Sequence, residues 1–219
     1  VHTLGDAETR TGIAVLDADG SEIERSEECP GVHGETVARE TPVFGCEDGV
    51  LVVREDRIVK VDSPDAYGRI GNQVGSPHSP VVLGDYKVDA DAELERPTRV
   101  ALVDTRNARL RLVDLGASYS FRSLGRGPQG EALVLGTDGR LHVLDPSTGA
   151  VTARIRVTEP WREPVDWQQP RPTLLVQGDT AWVTEPAARE VHVVDLDRLR
   201  VRTSFDVDVV PNEIAGNLG

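Results

Sequence analysis

Five times along the chain an apolar strand runs into an aspartate, a short polar turn follows, and a second strand begins. The five strands are Ile13-Ala14-Val15-Leu16-Asp17, Ile58-Val59-Lys60-Val61-Asp62, Val100-Ala101-Leu102-Val103-Asp104, Leu141-His142-Val143-Leu144-Asp145 and Val191-His192-Val193-Val194-Asp195. Their aspartates recur with a period of ~40–50 residues, which for short strands is the interval of a β-propeller of four-stranded blades. The aspartate has a local job. Its carboxylate accepts backbone N–H groups of the turn, and Asp145-Pro146-Ser147-Thr148-Gly149 carries the full turn chemistry. Further strands start at Gly34-Glu35-Thr36-Val37-Ala38, Gly130-Glu131-Ala132-Leu133 and Pro172-Thr173-Leu174-Leu175, each followed by a Gly/Asp turn. No segment reads as an amphipathic helix. The expected fold is all-β: one propeller domain over 1–219 with about five blades.

The chain opens mid-pattern at Val1-His2-Thr3-Leu4. An open ring would expose edge strands, so the sequence reads as part of a larger ring that lacks N-terminal blades. The closing Asn217-Leu218-Gly219 reads as the end of an outward or closing strand. There is no Met, which fits a processed or trimmed product whose leader has been removed. No stretch approaches the ~18 apolar residues of a membrane span. Asp and Glu (37) outnumber Lys and Arg (24), for a net charge of −13. That sign repels phosphate backbones and anionic lipid, so neither nucleic acid nor membrane is an expected partner. A monomer is expected.

The residues with metal-binding chemistry concentrate in Cys29-Pro30-Gly31-Val32-His33-Gly34-Glu35 and Phe44-Gly45-Cys46-Glu47-Asp48-Gly49. Two cysteines in an otherwise Cys-poor acidic chain read as one disulfide formed in an oxidising compartment, joining adjacent strands of one blade. As thiolate ligands they are disfavoured, because their separation of 17 lacks the Cys-x-x-Cys knuckle of structural zinc sites. In an extended segment His33 and Glu35 point to the same side, which makes them half of a conceivable zinc site.

These two stretches resemble the AztD-type zinc metallochaperones, which are periplasmic or secreted propellers. Gly84-Asp85-Tyr86-Lys87, Phe121-Arg122-Ser123-Leu124, Trp167-Gln168-Gln169-Pro170-Arg171-Pro172 and Val210-Pro211-Asn212-Glu213-Ile214 look like the same family, in the order of its C-terminal part. The resemblance implies an extracytoplasmic protein that binds Zn2+ and passes it to the solute-binding protein of a zinc ABC transporter. On matching positions it implies His33 and Glu35 as ligands. His78, in Gly75-Ser76-Pro77-His78-Ser79-Pro80, and Glu131, in Gln129-Gly130-Glu131, join them as the equivalent strand starts of later blades. Gln129 stands where His33 does, and the His-rich N-terminal segments of such proteins have no counterpart here.

The other histidines, His142 and His192, sit at matching places in two hairpins and are expected on the solvent side of outer strands. Catalysis finds no local signature: Gly-x-Ser-x-Gly, Walker and dinucleotide loops are absent. The Pro-rich stretch Glu159-Pro160-Trp161-Arg162-Glu163-Pro164-Val165-Asp166-Trp167 offers Trp161, Arg162 and Trp167 as a docking surface, since Trp and Arg are enriched at binding hot spots. Two other functions compete with zinc transfer: a metal-free propeller scaffold using that surface, and a propeller lyase or hydrolase using channel-facing acids.

Overall fold

The computed structural model describes every residue except 7, 56 and 217–219, so the reading of Asn217-Leu218-Gly219 lies outside the described residues. The strands form five antiparallel sheets, each a meander in chain order. The first holds β1 (His2–Gly5), β2 (Arg10–Leu16) and β3 (Glu22–Ser26). The second holds β4 (Glu35–Ala38), β5 (Thr41–Cys46), β6 (Gly49–Arg54) and β7 (Arg57–Asp62). β8 (Gln73–Ser76), β9 (Ser79–Gly84), β10 (Arg99–Asp104) and β11 (Arg109–Asp114) make the third. β12 (Tyr119–Arg126), β13 (Ala132–Gly136), β14 (Arg140–Leu144) and β15 (Val151–Arg156) make the fourth. The fifth is β16 (Leu174–Gln177), β17 (Thr180–Glu185), β18 (Glu190–Asp195) and β19 (Arg200–Asp206). No helix occurs among the described residues, and none is long and apolar enough to cross a membrane.

The chain packs as two compact units, one of Val1–Ala92 with Val100–Val113 and one of Glu93–Arg99 with the chain from Asp114 onward. Within each unit like strands meet. In the first, β4 lies against β8 while β3 lies against β7; in the second, β12 lies against β16 while β15 lies against β19. First strands beside first strands and last beside last is the arrangement of propeller blades. This packing covers the sides that adjoining sheets turn to each other, and the middle strands are the most buried: β6 and β13 are buried almost throughout, whereas the last strands β11 and β15 alternate. One core joins Val43, Val50, Val52, Ile70, Val82 and Val103; another joins Leu133, Leu135, Leu141, Ile155, Val183 and Val194.

The aspartate rule holds in the turns where it was read. Asp17 Oδ1 accepts the N–H groups of Asp19 and Ser21 at 2.9 and 2.8 Å, and Asp145 Oδ1 accepts those of Ser147 and Thr148 at 2.7 and 3.2 Å. These donors hold the Asp145 carboxyl below the usual range. Two expectations need correction. The first sheet has three strands among the described residues, not four. Ile58–Asp62 is part of β7, a last strand, whereas the other four repeats are third strands or, for β2, their counterpart. The third strand of the second sheet is β6, which ends in Arg54 rather than in the aspartate of the pattern.

Candidate metal centre

The chain leaving β3 does not loop out. Cys29 N–H and Gly31 N–H donate to Thr11 and Arg10 of β2, while His33 N–H and Glu47 N–H link the same segment to Gly45 and Pro30. Cys29 and Cys46 are joined in a disulfide, both buried. Cys46 ends β5, but Cys29 lies on this connecting segment rather than on an adjacent strand, so the bond staples the crossing from the first sheet to the second. His33 therefore stands on a fixed loop, exposed. Its Nδ1 faces Gly71 O at 3.3 Å. A carbonyl only accepts, so the tautomer this contact selects has its proton on Nδ1 and its lone pair on Nε2, where a ligand would bind. Gly71 is held in turn: its N–H and that of Asn72 donate to Asp85 Oδ1 at 2.8 and 2.9 Å, and burial pushes the Asp85 carboxyl up. His33 lines a depression of about 150 Å3 with Glu8, Arg10, Gly31, Glu47 and Arg69. Gly31 adopts φ 58°, and a Cβ there would come 2.5 Å from Glu47 Oε1, so glycine lets that carboxylate fold over the loop.

The other expected ligands are not gathered around His33. Glu35 opens β4, exposed, two residues beyond His33, but Gly34 between them has φ 76°, so strand alternation does not run through and does not set the two on one side. His78 is exposed in the hairpin between β8 and β9. Its N–H donates to Ser76 Oγ. His33 meets Gly71, before β8 begins; His78 follows its far end, about 13 Å of strand away. Glu131 likewise precedes a second strand, β13, and so is no counterpart of Glu35, which starts a first strand. Its carboxylate accepts Gln129 N–H at 2.9 Å and stabilises its own turn. The neighbouring Arg126 is brought down to about 10 by burial, against the pull of Glu131.

Of the aromatic stretch, Trp161 turns inward: its indole N–H donates to Gly136 O at 3.1 Å. Trp167 is 65 % exposed and Arg162 is exposed. The segment is held from beneath by Arg171, 1 % exposed, which pairs with buried Glu163 at 2.8 Å, donates to Asp166 O and Gln169 O, and lies over the Phe121 ring. A groove of about 320 Å3 runs between Trp161 and Arg162 on one side and Pro172, Glu185 and Pro186 on the other.

His142 and His192 are buried, at 1 and 6 %, not on the solvent side. They sit on third strands that are buried almost throughout. In the fifth sheet this creates a group that sequence reading missed: a ring nitrogen of His192 and one carboxylate oxygen each from Glu185 and Glu190 lie within 4.8 Å of one another. Glu185 is opposite Glu190 across the β17–β18 hairpin, and Glu190 and His192 are two apart on one strand, so all three share a face. The spacing Glu190-Val191-His192 was the legible signal; the hairpin register that adds Glu185 was not.

No protein-family model matches the sequence. The chain is similar to the zinc chaperone AztD of Citrobacter koseri, 26 % identical over 210 residues, covering 93 % of this chain and 48 % of the relative. The chain thus spans about half the length of the curated relative it matches. The crystal structure of Citrobacter koseri AztD superimposes with a TM-score of 0.78 at 22 % identity, covering 99 % of this chain and 60 % of that one. A β-propeller domain from Myceliophteria thermophila superimposes with a TM-score of 0.52 at 11 % identity, covering 91 % of this chain and 67 % of that one. The fold is a β-propeller.

Proposed function

We propose that the protein binds Zn2+ outside the cytoplasm and passes it by direct contact to the solute-binding protein of a zinc ABC transporter. The observation that carries this reading is the likeness to a zinc chaperone along 93 % of the chain. Two features support it. The buried Cys29–Cys46 disulfide suits an oxidising compartment. The disulfide-stapled loop presents His33 with Nε2 unpartnered among the described residues, beside Glu47 and Glu8 in an open depression. A cargo site needs such exchangeable coordination, unlike a closed structural site with four protein ligands. In this proposal His33 is the primary ligand and Glu35, which opens β4 beyond Gly34, is the carboxylate the family resemblance pairs with it, although the backbone at Gly34 does not set the two on one side; the geometry does not favour one ion shared by His33 with His78 or Glu131. Arg162 and Trp167 form the exposed face offered to the acceptor, with Trp161 fixed beneath it. The likeness extends to a chaperone and not to a catalyst, and no turnover is proposed.

Competition for Zn2+ against a chromophoric chelator tests the reading on the wild type and His33→Ala. The expected result is that one of the wild type's zinc equivalents is bound at least tenfold more weakly in the variant. Wild-type protein that takes up no zinc overturns the reading; unchanged uptake in the variant removes His33 from it.

A further inference from the structure

We infer that the fifth sheet carries a second divalent-metal site, formed by His192, Glu185 and Glu190 with Asp206 beside them. The argument rests on a comparison inside the molecule. The fourth and fifth sheets place a histidine at the same point of their third strand, His142 and His192, three residues before Asp145 and Asp195. Each ring meets a carboxylate from the preceding hairpin: His142 Nε2 lies 3.1 Å from Asp138, and His192 Nε2 lies 2.7 Å from Glu185. The surroundings then diverge in sign. Two residues before His142 stands Arg140, paired with Asp138 at 3.1 Å, and opposite His142 on the last strand stands Arg154. The Asp138 carboxyl, though burial works against it, is lowered by its bonds to His142 and Arg140. The fourth sheet has thus filled the position with its own cation.

In the fifth sheet Arg140 is replaced by Glu190 and Arg154 by Ser204. Glu185, Glu190 and Asp206 stand directly opposite one another on three adjacent strands. Like charges in that relation destabilise a sheet, and among the described residues the ion pairs of Glu185 and Glu190 are with His192 alone. The row lacks the cation its sister sheet supplies. The ligand atoms are also already oriented. Glu159 N–H holds Glu185 Oε1 at 3.0 Å, which leaves Oε2 aimed at the imidazole. Ser204 Oγ lies 2.7 Å from Nδ1, the outer-shell contact that fixes a ligating histidine; His142 Nδ1 has no such partner among the described residues.

One imidazole with two or three carboxylates suits Zn2+ better than Mg2+ or Ca2+, which take oxygen ligands alone. The ion would take the place of the Nε2 proton, opening the 2.7 Å contact to Glu185 to about 3.4 Å, the spacing of two ligands on a tetrahedral ion. The ring proton then sits on Nδ1 and donates to Ser204. Glu190 Oε2 lies 3.9 Å from Nδ1, so this side chain, 35 % exposed, has to turn toward Nε2 to close the site from the solvent side.

This site does not depend on zinc delivery or on His33, so the two can fail separately. The experiment is a Zn2+ titration by calorimetry, with a Mg2+ control, on His33→Ala and on His33→Ala carrying Glu190→Arg, which copies the fourth sheet. The first should bind one equivalent of zinc and no magnesium; the second should bind at least tenfold more weakly with an unchanged circular dichroism spectrum. Should Glu190→Arg disturb folding, Glu190→Gln gives the same comparison without a new charge. No zinc uptake by His33→Ala, or equal uptake with Glu190 replaced, overturns the inference.

Discussion

Replacing both disulfide cysteines, Cys29→Ala with Cys46→Ala, puts a number on the staple beneath His33. The bond closes a loop of 17 residues, and in the chain-entropy model a loop of that length restricts the unfolded chain by about 3 kcal/mol. For a chain of 219 residues, each kcal/mol lowers the melting temperature by roughly 2–4 °C, so the double variant should melt about 6–12 °C lower. The native loop should hold its path through the hydrogen bonds of Cys29, Gly31 and Glu47 to Thr11, Arg10 and Pro30. The loss therefore belongs mainly to the unfolded state. Guanidinium unfolding followed by tryptophan fluorescence reads the difference. A loss below about 1 kcal/mol would refute the loop-entropy reasoning. A variant of full stability that has lost the zinc binding proposed for His33 would instead show that the bond positions the loop.

Glu163→Gln leaves the buried Arg171 guanidinium without its counter-charge and should cost about 3–5 kcal/mol in urea unfolding, with Arg171→Met and Glu163→Leu together recovering most of it. A loss under 1 kcal/mol for the single change would show that Asp166 O and Gln169 O satisfy Arg171 unaided. Because burial raises the Asp85 carboxyl, the native state takes up its proton more readily than the unfolded one, and the stability it withholds grows as pH rises above the ordinary value of about 4. Asp85→Asn, which can still accept from Gly71 and Asn72, should gain on the wild type between pH 4 and 7; a difference independent of pH would contradict this. Asp145 has the opposite sign: its lowered carboxyl stabilises above about pH 4 and loses that contribution on acidification. Asp145→Ala should therefore be less stable than wild type at pH 7 and match it as the wild-type carboxyl protonates.

The turn chemistry was legible because it is local. Asp17 and Asp145 accept their own turn's N–H groups, whatever the rest of the chain does. Strand position within a sheet is not, because third and last strands share one local pattern, which makes Ile58–Asp62 look like the equivalent of Val100–Asp104. The same ambiguity made Glu131 look like Glu35. Alternation separates the two faces of a strand but does not say what covers them. His142 and His192 read as solvent-facing from their own strands, whereas packing between sheets, which their sequence does not announce, buries both. The disulfide could be read from two cysteines alone, whereas the Glu185–Glu190 pairing needs a hairpin register that no residue type announces.

The central claim is transfer by contact. Protein loaded with one equivalent of radioactive zinc is mixed with the metal-free solute-binding protein of a zinc ABC transporter, in the presence of excess chelator, and the metal is followed through rapid separation. Direct hand-over predicts that zinc reaches the acceptor faster than the chelator captures it from the loaded protein alone, and that Trp167→Ala slows only the transfer. Zinc appearing in the chelator first, at the rate of spontaneous release and regardless of the acceptor, would contradict the account.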